Sequence, residues 1–113
     1  MSTIKELMPK FAEELKRLIL AQKTDLTLWT LAGSIDDLEV VGKCGCGQDN
    51  CATFYTLPES ERMWDDNDVT AGSIEIDEKN GKGLIVMDIR WGKISGFEVL
   101  WREDVKECLE NVP

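Results

Sequence analysis

The stretch Ile74-Glu75-Ile76-Asp77-Glu78-Lys79-Asn80-Gly81-Lys82-Gly83-Leu84-Ile85-Val86-Met87-Asp88-Ile89-Arg90-Trp91-Gly92-Lys93-Ile94-Ser95-Gly96-Phe97-Glu98-Val99-Leu100-Trp101 decides the fold. Its apolar residues alternate with polar ones, the period of strands that bury one face. Asn80-Gly81 is the strongest short hairpin signal, because a type I′ turn needs positive φ at both central residues. A turn there pairs Ile76 with Ile85 and Ile74 with Met87, and Ile89 continues the same face. Phe97, Val99 and Trp101 share one side of the next strand. To join that face they need a connecting loop with an odd residue count, since a one-residue slip inverts a strand. Trp91-Gly92-Lys93 as a three-residue loop pairs Met87 with Phe97 and Ile85 with Val99.

Working outward, Leu38 to Cys44 reads as a strand and Cys51 to Leu57 as its hairpin partner. Gly45, Gly47, Asp49 and Asn50 supply the turn between them. Residues 26 to 32 fit a strand or a helix equally. Upstream, Ile4, Leu7, Met8, Phe11, Leu15, Leu18 and Ile19 recur at helical steps. Thr3 and Glu6 have the spacing of a capping box. Pro9 suits a first helical position, so a short turn followed by a helix from Pro9 is the expected arrangement. After Trp101, Glu103 and Asp104 followed by Val105, Cys108, Leu109 and Val112 indicate a short C-terminal helix. The expected fold is therefore α+β in two layers: an N-terminal helix, a four- to five-stranded antiparallel meander sheet and a short C-terminal helix. The helices cover the face lined by Ile74, Ile76, Ile85, Met87, Phe97 and Val99. Trp29 and Trp101 read as core.

The chain has 113 residues, 42% of them hydrophobic, which suits one domain over 1–113 with a single core. Its formal charge is -9 and it contains no His. That balance argues against direct nucleic-acid binding, which needs a basic footprint. Without His, Ser-His-Asp and Cys-His catalysis and mixed Cys/His zinc sites are excluded. No apolar run has the length of a membrane span, and the start lacks the plan of a signal peptide, so a cytoplasmic protein with reduced thiols is expected. The charge is uneven: residues 1 to 24 carry a net +2, whereas residues 59 to 78 hold eight acids and one base, Arg62.

The segment Asp88 to Leu100 resembles the closing hairpin of small, uncharacterised bacterial domains. There an Asp, a turn Gly, an Ile or Val, then Gly-Ile-Glu-Ile-Leu end a compact sheet. Asp88, Gly92, Ile94, Gly96, Glu98, Val99 and Leu100 match, and Phe97 departs from the usual Ile. The match covers 13 of 113 residues and implies a sheet, with no activity to carry over. Cys44-Gly45-Cys46-Gly47 followed by Cys51 is similar to Cys-Gly-Cys signatures of other small bacterial proteins of unknown function.

Cys44, Cys46 and Cys51 form a Cys-x-Cys-x4-Cys run whose interleaved glycines allow positive φ and convergence of the sulfurs. Cys108, on a helix across that end of the sheet, is the expected fourth thiolate for tetrahedral zinc. The usual zinc spacing is Cys-x2-Cys twice, whereas here a single knuckle-like element, Cys44-x-Cys46, is present. A redox reading has Cys46 and Cys51 facing each other across the hairpin, with Lys43 as the adjacent base. The plain reading is that all four are small buried hydrophobes.

Asp65-Asp66-Asn67-Asp68 resembles the opening of a calcium loop, but the Gly that an EF-hand requires is missing, which leaves a solvated loop. Asp88 and Glu98 fall on the sheet face opposite the core, as ordinary surface charges. No reaction can be named from these residues. Trp64, beside Asp65, Asp66 and Asp68, is the candidate contact residue, against the plainer and preferred reading that it folds back over the sheet edge; Trp91 raises the same question. The leading functional expectation is a non-enzymatic acidic interaction protein, immunity- or inhibitor-like, that binds a basic protein partner through residues 59 to 78. A zinc-stabilised module and a thiol-redox protein are the alternatives. Oligomeric state is open; segment 51–57 as an edge strand offers one route to a dimer.

Overall fold

The computed structural model describes residues 2–22, 30–76 and 83–112. The Asn80-Gly81 turn, Trp29 and residues 26–29 lie outside them. The chain opens with α1 (Ile4–Leu7) and α2 (Pro9–Leu20). Thr3 and Glu6 close the capping box in both directions, at 3.0 and 3.2 Å. Met8, at φ -150°, breaks the helical path, and Pro9 restarts it as the first residue of α2. The sequence reading of this region holds.

Five strands form one antiparallel sheet: β1 (Gly42–Lys43), β2 (Phe54–Tyr55), β3 (Gly72–Glu75), β4 (Leu84–Arg90) and β5 (Lys93–Leu100), in the order β1-β2-β5-β4-β3. The three C-terminal strands make the meander, and the β1–β2 hairpin docks on the far side of β5. Short helices α3 (Glu59–Arg62) and α4 (Glu103–Cys108) and a 3₁₀ turn η1 (Ile35–Asp37) complete the described elements named here, and Thr30, Leu31 and Ala32 are also helical. No helix among the described residues is long and apolar enough to cross a membrane.

The register matches the expected pairs: Ile74 with Met87, Met87 with Phe97 and Ile85 with Val99, while the Ile76 N–H donates to the Ile85 carbonyl at 2.9 Å. The route to it differs. Arg90 pairs with Lys93, so the loop is the two residues Trp91 and Gly92, with φ 53° and 73° as a type I′ turn requires. Parity is restored further along by a bulge, because Ile89 pairs with Ile94 but Asp88 pairs with Gly96. Ser95 is the extra residue. Its carbonyl faces β2 and accepts from the Thr56 and Leu57 N–H groups at 2.9 and 3.2 Å. A two-residue turn plus a bulge thus has the same effect on facing as a three-residue loop.

Leu38 to Cys44 does not form one continuous strand with β2. Ile4 donates to the Leu38 carbonyl and Val40 to the Ser2 carbonyl, both at 2.9 Å, so the first half of that segment pairs with the chain's start. Segment 51–57 is flanked on both sides, by β1 and by β5, which corrects its expected place at a sheet edge. Gly96 is required there, since a Cβ would stand 2.7 Å from the Phe54 carbonyl oxygen.

One sheet face carries Phe54, Ile76, Ile85, Met87, Phe97 and Val99 into a core closed by Ile4, Phe11, Leu15 and Ile19 of α1 and α2, and by Val105 and Leu109 beside them. Phe54 centres it, with ring centroids 6.2 Å from Phe11 and 5.5 Å from Phe97. Arg102 ties the start of α4 to α2 through a bidentate pair with Glu14 at 2.6 and 2.8 Å. Trp101, expected in the core, is exposed: φ is 58° there, and the backbone turns out of the sheet before α4 begins.

Candidate metal centre

The cysteine run lies where the β1–β2 hairpin leaves the sheet. The Cys44 N–H donates to the Thr53 carbonyl at 2.9 Å, a last rung beyond β1. On the return side Cys51 bridges Leu100, and Ala52 donates to the Val99 carbonyl at 2.8 Å. Cys44 and Cys51 are therefore fixed to opposite arms of one hairpin. Cys46 comes from the loop between them, which reverses at Gly47 (φ 73°) and closes with a bond from the Cys51 N–H to the Gln48 carbonyl at 3.2 Å. Among the glycines interleaved in the run, only Gly47 takes the positive φ that the spacing suggested. The three Sγ atoms all lie within 4.8 Å of one another.

Helix α4 forms the floor. Lys43 Nζ donates to the Leu109 and Glu110 carbonyls at 3.0 and 3.1 Å, capping the helix end, and Lys106 Nζ donates to the Asp49 carbonyl at 2.7 Å. The two lysines fasten the cysteine loop to the helix and leave the sulfurs at the mouth of a cleft lined by Lys106 and Leu109. Cys46 is exposed, whereas Cys44 and Cys51 are half-buried.

Each sulfur has a neighbouring donor. The Gln48 N–H favours the Cys46 thiolate, but the sulfurs of Cys44 and Cys51, together with partial desolvation, outweigh it and push that thiol up. Burial disfavours ionising Cys51, yet the Thr53 hydroxyl and N–H, with the Cys46 and Cys44 thiols, bring it below the ordinary cysteine value. The Thr53 oxygen already accepts from the Val99 N–H at 3.1 Å, which leaves its hydroxyl proton to point elsewhere. Tyr55 lies against Cys44: burial and then the sulfur raise its phenol, against the Arg62 guanidinium 3.6 Å above its ring. Of Cys46 and Cys51, it is Cys51 that ionises first. Three sulfurs converging on one point, with the Cys51 thiol brought below its ordinary value, can hold a metal ion.

Cys108 does not join them. It is exposed and lines a groove with Leu7, Met8, Phe11 and Val105, on another side of α4 from the cluster. Lys106 and Leu109 face the cysteine loop, and Cys108 falls between them in sequence, so the helix turns it elsewhere. The expected fourth thiolate is therefore absent from the cluster, and Lys43, expected to be a thiol's cationic neighbour, spends its ammonium on helix carbonyls.

The acidic segment is also redistributed. Trp64, Asp65 and Asp66 are exposed, but Asp68 is buried. One Asp68 oxygen accepts from the Thr70 N–H and hydroxyl at 2.9 and 2.6 Å, and the other from the Trp91 N–H at 2.5 Å. Burial would raise its pKa, but these bonds outweigh it and hold the carboxyl below the ordinary value. Asp68 is therefore a structural pin, a correction to its expected part in partner contact; a calcium loop is excluded at its engaged oxygens. Asp65 and Asp66 serve local geometry as acceptors from the Asn67 N–H and the Trp64 indole N–H, each at 2.9 Å. Asp88 accepts from the Ser73 hydroxyl at 2.6 Å, and burial followed by the Asp88 charge raises Glu98.

Comparison with protein-family models, curated proteins and solved structures finds no match.

Proposed function

We propose that this chain is a small metal-stabilised module in which Cys44, Cys46 and Cys51 hold one zinc ion. The observation that carries the reading is the convergence of the three Sγ atoms within 4.8 Å. In a zinc tetrahedron with bonds of about 2.3 Å, sulfurs stand about 3.8 Å apart, so side-chain rotation and a small loop movement suffice. The flanking donors support it as well. Outer groups that orient ligands are typical of built sites, and here Thr53, Gln48 and Tyr55 each lie against a different sulfur. Zinc would relieve the mutual repulsion of three thiolates and lock both hairpin arms and the loop over α4. Its expected role is to stiffen one end of the sheet.

Native mass spectrometry beside the denatured mass, on protein purified without chelator, tests the reading. A single zinc increment lost on denaturation is expected. An apo mass with four reduced, freely titratable thiols in a folded protein overturns it. A thiol–disulfide role draws on the same geometry, since the Cys51 and Cys46 sulfurs lie within 4.8 Å of each other. Rapid alkylation of Cys51 at neutral pH, with no bound metal, would favour it over zinc.

A further inference from the structure

Independently of the cysteines, we propose that loop 63–71 and the β4–β5 turn together form a docking surface for a basic protein segment that carries an apolar side chain. Among the described residues the exposed large apolar side chains are Leu20, Met63, Trp64, Val69, Trp91 and Trp101. Four of these six gather at this one end of the sheet, with exposures of 69% for Met63, 62% for Trp64, 97% for Val69 and 51% for Trp91. Single exposed hydrophobes are ordinary, but a cluster of them with two tryptophans is not.

The cluster is built rather than frayed. Asp68 and Thr70 clasp the turn from below, the first accepting from the Trp91 N–H and the second, through Oγ1, from the Gly92 N–H at 2.7 Å. Arg90 donates to the Arg62 and Gly72 carbonyls at 3.3 and 3.4 Å, and its guanidinium lies 5.2 Å from the Trp64 ring centre. The indole N–H of Trp64 is held by Asp66. The Trp64 indole and the Trp91 backbone are thus held before any partner arrives, which lowers the entropy lost on binding. Trp91 adds a further sign. At φ 53° a bulky side chain occupies a region that favours Asn or Gly, and the buried Asp68 holds it there. Neither solubility nor turn formation requires Trp at that position.

Charge selects the partner. Glu59, Glu61, Asp65 and Asp66 are exposed around the cluster. Arg62 and Arg90 are half-buried against Tyr55, Trp64 and backbone carbonyls, so the exposed charges named here are four acids and one base beside the turn, Lys93. An apolar centre with an anionic rim fits Lys or Arg flanking an aliphatic or aromatic residue. A second copy of this chain, at -9, fits poorly.

The test follows the indole N–H signals of the full ¹⁵N-labelled chain during titration with three synthetic dodecapeptides. One alternates Arg or Lys with Leu, one has the same charge with Ser in place of Leu, and one is acidic. Trp101 is as exposed as Trp64 but belongs to a different site, lining a hollow with Asp49, Asn50 and Arg102, and so serves as the control. The basic–apolar peptide is expected to shift Trp64 and Trp91 and to spare Trp101. Its affinity should fall about tenfold in Trp64→Ala, in Trp91→Asn and in Asp65→Asn/Asp66→Asn. The Ser peptide should bind at least about tenfold more weakly, and the acidic one not at all. Trp91→Asn keeps a residue that tolerates positive φ, so its loss of binding cannot be laid to misfolding. Unmoved Trp64 and Trp91 signals, equal shifts at Trp101, unchanged affinity in the variants or concentration-dependent self-association without peptide would each overturn the proposal.

Discussion

Two loops leave the sheet with polar or reactive side chains gathered together, and they use them in opposite ways. In loop 44–51 the three sulfurs face one another, and their ties to the rest of the chain come from flanking donors. In loop 63–71 Asp68 is buried and bonded to Thr70 and Trp91, while Asp65, Asp66 and Trp64 face outward. Both clusters are equally visible in the sequence. What separates them is whether the groups find partners within the chain. A carboxylate that accepts two bonds from its own loop and a third from the neighbouring turn is part of the scaffold. Three sulfurs within 4.8 Å of one another, each with a flanking group to orient it, still have coordination to offer.

The largest effect should follow from removing that coordination. If Cys44, Cys46 and Cys51 hold zinc, free ion at a hundred times its Kd stabilises the fold by about 2.7 kcal/mol. For a chain of this size that corresponds to a rise in Tm of roughly 10 °C. Thermal melts with and without chelator should show the rise in the parent protein and in Cys108→Ser, and lose it in Cys46→Ser. An equal loss in Cys108→Ser would bring the fourth cysteine back into the site and undo the contrast between the faces of α4.

Asp68 should come next. Asp68→Asn swaps an accepting oxygen for an amide that cannot accept, leaving the Trp91 or Thr70 N–H unpaired, and should lower Tm by roughly 5 °C. Asp65→Asn should change it little, since its single local acceptor survives the substitution. The same residue has a pH signature. Its carboxyl is held below the ordinary value of 3.8, so its contribution is complete above that pH and is lost as pH falls through the lower folded value. Acid titration of stability should therefore show a drop below about pH 3.8 that is smaller in Asp68→Asn. Identical acid limbs in the two proteins would mean that Asp68 is not ionised in the folded turn.

The sequence carried the two-layer fold, the Pro9 helix start and the strand pairs because each rests on short-range periodicity or on one stereochemical rule. It did not disclose the bulge at Ser95. A three-residue loop and a two-residue turn plus a bulge place Met87 opposite Phe97 equally well, and only the cross-strand bonds to Thr56 and Leu57 decide between them. The cluster of Cys44, Cys46 and Cys51 was legible because all three belong to one hairpin. Cys108 was misplaced because the phase of a short helix against a distant loop is set by packing, here through Lys43 and Lys106. Asp68 was misread for a similar reason: its partner Trp91 lies 23 residues away, beyond any local pattern.

The smallest expected effect is also the sharpest on the second loop. Trp91 sits at φ 53° with half its surface in water, so it gains little from burial and carries a backbone cost. Trp91→Asn keeps the N–H that Asp68 accepts and supplies a residue at ease in that conformation, so stability should rise by about 0.5–1 kcal/mol. Chemical denaturation can resolve that difference if the m value is unchanged. A gain would mean that the chain retains Trp91 at a cost to its own stability, which fits a residue kept for contact with a partner. A loss above about 1 kcal/mol would instead make the indole part of the scaffold. The contrast between a loop with coordination to offer and a loop with contacts to offer would then rest on Trp64 alone.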